Sequence, residues 1–147
     1  MIMTDAVKTP LHLWVVGILA ILVNAFPAVD FILTQLENEF WLSPLTAGQR
    51  SFILGAPLWA DICWALGGFG AFIGSVLLLF RSRHAVTAYF LSIAGLAGST
   101  LYQHVLNGET TRALFQNVAI IVTAAIWVIM LALFFYARAM KAKGVLR

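Results

Sequence analysis

Asn24, Asp30, Asp61, Gln103, His104 and Asn117 set carboxylate, carboxamide and imidazole side chains within long apolar runs of this sequence. Carboxylates, an imidazole and carboxamides at one level in a membrane can hold a proton, bind a cation or position a polar solute. Their spacing brings four of them to a common depth. Leu11 to Asp30, Phe80 to Asp61, Ala85 to His104 and Tyr136 to Asn117 are each 19 residues apart, about 28 Å of helical rise. If each run is a helix counted from the same membrane face, these groups form a ring near the far edge of the hydrocarbon. Gln103 and Gln116 lie beside that ring and Asn24 lies deeper. The competing reading is that each group is separately hydrated at the interface. For Asp61, the first helical turn after Pro57 is itself a favourable place for an acid, because of the helix dipole.

Other chemistry is less well supported. Asp30, Asp61 and His104 are metal-ligand types but lack the close spacing of a metal motif, so no metal is expected. His12 and His84 share the opposite edge and could in principle clasp a haem; interfacial anchoring is the simpler role, and no cofactor is expected. The single cysteine, Cys63, offers no intrachain disulfide and reads as a small buried apolar residue. Gly68-x-Gly70 follows no strand, which excludes a dinucleotide fingerprint, and no nucleophile-elbow, HExxH, P-loop or paired-cysteine pattern is present. No catalytic residue is assigned, and the chain is not expected to be an enzyme.

The elements that must position the ring are membrane helices. Of the 147 residues 62% are hydrophobic and only 10% charged, against roughly 25% charged in soluble domains; the mean hydropathy is +0.95. The sequence predicts an all-α, integral membrane four-helix bundle in a single domain spanning residues 1–147. Its spans are expected at about 11–33, 57–80, 85–106 and 114–136. Val23-Asn24-Ala25 loosely resembles a signal-cleavage site, but hydrophobicity continues past it, so the first run is expected to be retained. Pro27 removes the donor for the carbonyl of Val23 and predicts a kink, which either opens a cavity or is absorbed by neighbouring helices. Residues 34–56 form the long loop, with Phe40 and Trp41 suited to an interface. Within it, Thr46 and Gln49 fit a capping box and predict a short interfacial helix at about 47–54.

Four spans put both termini on one side. Lys8, Arg81, Arg83, Arg138, Lys141, Lys143 and Arg147 fall there, with only Arg50 and Arg112 opposite. The positive-inside rule therefore places the termini in the cytoplasm, and the basic excess is read as topology, not as nucleic-acid binding. Small residues predict how the helices meet. Gly70-x-x-x-Gly74, extended back to Gly67, lets backbones approach closely, and Ala94-x-x-x-Gly98 with Gly95-x-x-x-Ser99 answers it from the third span. Packing within one bundle is the simpler outcome, and homodimerisation through the second span the alternative.

His12-Leu13-Trp14-Val15-Val16-Gly17, then Asn24-Ala25-Phe26, Asp30 and Thr34-Gln35, resemble the opening of a family of small four-span bacterial inner-membrane proteins. Tyr136-Ala137-Arg138 and Gly144-Val145-Leu146-Arg147 look similar to that family's tail. Pro27 stands where a glycine is usual and Val23 where a tryptophan is. Some members carry a sugar-transporter label. The resemblance implies the topology and an inner-membrane location, and supplies no site chemistry. The expectation is a non-enzymatic accessory or structural subunit, with the lipid bilayer, other membrane subunits or a second copy as partners. The alternative is a small-solute or proton-coupled transporter acting as an oligomer. Against it stands the lack of matched helix breaks in the two halves, since all four prolines lie in the first.

Overall fold

The computed structural model describes residues 7–147, and all regular structure among them is helical. The long helices are α1 (Leu11–Gln35), α4 (Leu58–Leu79), α5 (His84–Thr100) and α6 (Gly108–Ala142), with α2 (Glu39–Leu42) and α3 (Ala47–Leu54) between α1 and α4. A π-helical turn, Leu101–Leu106, prolongs α5. The four long elements are each long and apolar enough to cross a membrane, and the chain is a multi-pass membrane protein.

Local sequence explains most of the boundaries. Pro10 and Pro57 occupy the N-cap positions of α1 and α4 with φ of −69° at both, the value their rings impose. α3 carries the full capping box: Thr46 Oγ1 accepts from the Gln49 amide at 3.3 Å, and Gln49 Oε1 accepts from the Thr46 amide at 3.0 Å. α2 is capped by Asn38 Oδ1, which accepts from the Trp41 amide at 3.0 Å. Three helices stop in one way, with a left-handed residue directing two amides back onto the last turn. At the end of α6 that residue is Gly144 (φ 70°), but α1 uses Glu37 (φ 50°) and α4 uses Arg81 (φ 59°).

α4 is the middle of the bundle. One side of it meets α5 across small residues. A Cβ added at Gly70 would stand 3.0 Å from that of Ser92, and one at Gly74 would press on the Tyr89 ring at 2.9 Å. One at Gly95 would reach 2.5 Å from the Gly67 nitrogen and the Cys63 carbonyl, and one at Gly98 would collide with Cys63 Sγ. Ala94 is exposed. The other side of α4 meets α1, where Gly68 lies against the backbone of Pro27 and Ala28, and Gly17 against Leu79. The glycine ladder is thus occupied within the chain, and α1 continues as a helix through Pro27.

The two ends of the bundle differ. At the end carrying the termini, Leu13, Leu78, Ala85, Ala137, Met140, Val145 and Leu146 form a tight core. The chain folds back over it: the Arg147 amide donates to Arg81 O at 2.7 Å, and the Arg83 amide donates to Arg147 O at 2.8 Å. Arg81 Nε adds a 3.2 Å bond to Val145 O. His12 Nδ1 and the Tyr136 hydroxyl tie α1 to α6 at the same end; His84 is exposed. Toward the loop end α6 stays bonded to α5 and the π turn, but none of its residues between Thr111 and Met130 is buried. It begins at Gly108, earlier than residue 114, because Glu109 to Arg112 are already helical. Gln116 (φ 54°, ψ −143°) then breaks its axis.

Candidate functional site

A cavity of about 650 Å³ lies at the loop end, bounded by all four long helices and roofed by the α2–α3 segment. Asp30 reaches it from the last turns of α1, Asp61 from the first turns of α4, and Gln103 from the π turn. Asn24 lies deeper on the same wall. Trp41, Phe52, Trp64, Tyr102 and Phe115 supply most of its aromatic surface. Phe26 on α1 and Val118 and Ile126 on α6 line the cavity while remaining exposed, so it opens between these two helices.

The polar groups play different parts. Asp30 Oδ1 accepts a 2.8 Å hydrogen bond from the Trp41 indole. Asp61 Oδ1 is buried and has no hydrogen-bond partner among the described residues. Asn24 is absorbed into a fully internal network: its amide donates to Ser75 Oγ at 3.0 Å, Tyr89 OH donates to the same oxygen at 3.0 Å, and Ser75 Oγ donates to Ala71 O at 2.8 Å. Such a network joins α1, α4 and α5 without leaving a buried polar atom stranded.

His104 points elsewhere. Its Nε2 lies 2.9 Å from Thr123 Oγ1 on α6, and it lines a second, open cavity of about 1070 Å³ between the π turn and the start of α6. Gln116 lines that cavity too, whereas Asn117 is exposed and lines neither. Thr100 and Thr123 face both cavities. Thr100 Oγ1 accepts from the Trp127 indole at 3.0 Å, so this pair and the His104–Thr123 pair close the α5–α6 seam.

The structure therefore brings Asp30, Asp61, Asn24 and Gln103 to one cavity, sets His104 beside it, and leaves Asn117 apart. Among the described residues no three His, Cys, Asp or Glu side chains come together as a metal-holding group. Several contributors are absent from the sequence reading. Trp41 reads as an interfacial anchor, Ser75 as a small residue extending the glycine face of the second span, and Tyr89 carries no assigned role. The signal for the last two was their polarity inside apolar runs, the criterion that selects Asn24. Trp64 and Phe52 carry no signal apart from neighbours, because an aromatic in a membrane helix is equally suited to lipid.

Comparison of the chain with protein-family models, with curated proteins and with solved structures gives no match.

Proposed function

We propose that this is a multi-pass inner-membrane protein, its termini cytoplasmic, that binds a small solute in the loop-end cavity and carries it. The observation that supports this reading is the cavity itself. It has the size of ligand sites, typically ~300–1,000 Å³, with a mostly apolar lining and a few convergent polar groups. Ionisable residues placed inside membrane segments are costly, and they commonly mark a substrate or ion pathway. The likeness to the four-span inner-membrane family is in keeping with this location.

A second reading, a non-enzymatic accessory subunit, draws on the exposed apolar stretch of α6 that includes Val118, Ile121, Val122 and Val128. Lipid or a neighbouring subunit would cover it. Native mass spectrometry after purification in mild detergent separates the two. The solute reading expects a small bound molecule on the wild type that is lost when Ala119→Trp fills the cavity. A membrane-protein partner retained equally by both, with no small molecule on either, would favour the accessory role.

A further inference from the structure

The lining of the loop-end cavity carries two acids, Asp30 and Asp61, and no Lys, Arg or His among the described residues. The cation of the roof does not compensate them. Arg50 Nε donates to Leu42 O at 3.1 Å, and its guanidinium pairs with Glu39 at 3.2 Å. His104 is held on Thr123, in the other cavity. An anionic or acidic solute would meet only like charge here. Gln35 is the one side-chain partner of the Asp61 carboxylate among the described residues, and Oδ1, buried and unpartnered, gains its interaction from an incoming donor or positive charge.

The remaining surface favours the same class of ligand. Aromatic faces attract cations, most strongly where water is excluded, and Trp41, Trp64 and Tyr102 line the cavity together with the two carboxylates. The mouth lies between α1 and α6, where Phe26, Val118 and Ile126 are exposed. A solute entering between two membrane helices passes through hydrocarbon, so it must itself be lipophilic. From this geometry we infer that the cavity selects a lipophilic monocation, a hydrophobic body bearing one ammonium- or phosphonium-type charge. The inference rests on the cavity being a solute site and specifies what that site takes.

A pair of probes with one shape and opposite charge tests it on the intact protein. The full chain in nanodiscs of zwitterionic lipid is titrated with tetraphenylphosphonium and with tetraphenylborate, with empty nanodiscs as background. Saturable binding of the phosphonium, at least about tenfold tighter than that of the borate, is expected. Asp30→Asn and Asp61→Asn should each weaken the phosphonium by about tenfold, with Glu37→Gln, in the exposed turn after α1, unchanged. Equal binding of the two probes, or saturable binding of the borate alone, overturns the cationic assignment and leaves the solute site standing. So does a double Asp→Asn variant that keeps wild-type phosphonium affinity. Binding of neither probe also overturns the assignment; the solute site then survives only if a small molecule still co-purifies and is lost in Ala119→Trp. The comparison of the two probes on the wild type needs no variant, so a misfolded aspartate variant does not blunt it.

Discussion

The Trp41 indole and the Asp30 carboxylate are joined by a 2.8 Å hydrogen bond that fastens the roof of the cavity to the wall beneath it. Trp41 belongs to a helix of only four residues, too short to hold itself in place. It is kept there by its ring against Phe26, with centroids 5.9 Å apart, and by Asp30. The same carboxylate that faces the cavity therefore also determines whether the cavity is covered.

That coupling is measurable. Trp41→Phe keeps most of the ring and removes the donor; Asp30→Ala removes the acceptor. A double-mutant cycle followed by denaturant unfolding in micelles should give a coupling energy of about 1 kcal/mol. Additive effects would mean that the bond contributes nothing to holding the roof.

The seam between α4 and α5 makes a steric prediction. Gly70→Leu and Gly95→Leu drive side chains into Ser92 and into the Gly67 backbone, and each should cost about 1–3 kcal/mol or prevent assembly. Ala94→Leu, on an exposed position of the same helix, should leave the unfolding midpoint nearly unchanged. Equal tolerance of all three would remove close backbone approach as the basis of packing.

Gln49 serves two ends at once. Its Oε1 completes the capping box of α3, while its Nε2 donates at 2.9 Å to Leu114 O, two residues before the break in α6. Gln49→Glu preserves the first bond and abolishes the second; Gln49→Ala abolishes both. Hydrogen exchange should show Glu loosening only residues 108–118, whereas Ala loosens these and residues 47–54. Loss of about 1 kcal/mol in each region is the expected scale. Identical exchange patterns in the two variants would separate the break in α6 from Gln49.

Orientation follows from charge. In a Cys63→Ala background, Glu39→Cys and Thr110→Cys should react with a membrane-impermeant maleimide on intact cells. Lys141→Cys should react only after permeabilisation. The reverse pattern would place the basic end outside and contradict the positive-inside reading.

The spans were legible because membrane helices announce themselves: long apolar runs, and prolines at the starts of α1 and α4. The glycine spacings likewise named the seam between α4 and α5. Counting along the helices also placed Asp30, Asp61 and Gln103 toward the loop end, where they line one cavity. Azimuth was not legible. His104 and Asn117 share the 19-residue count of Asp30 and Asp61, yet they lie beside the π turn and the break at Gln116 and do not line that cavity. Neither irregularity has a local sequence marker. A π turn depends on other groups satisfying displaced carbonyls, as Thr111 Oγ1 does for Gln103 O at 2.7 Å. A glutamine at positive φ gives no warning of the kind a glycine gives. Glu37 and Arg81 end α1 and α4 in the same unannounced way.

Thr100 and Thr123 form a septum one side chain thick. With a cavity on each side of it, the seam is held by the His104–Thr123 and Trp127–Thr100 hydrogen bonds. Among the described residues both cavities lie toward the loop end, and the basic end is the closed one. At that end Leu13 and Leu78 are wholly inaccessible, and the pairing of Arg147 with Arg81 and Arg83 straps it shut. Any opening of that end would first have to separate Arg147 from Arg81 and Arg83.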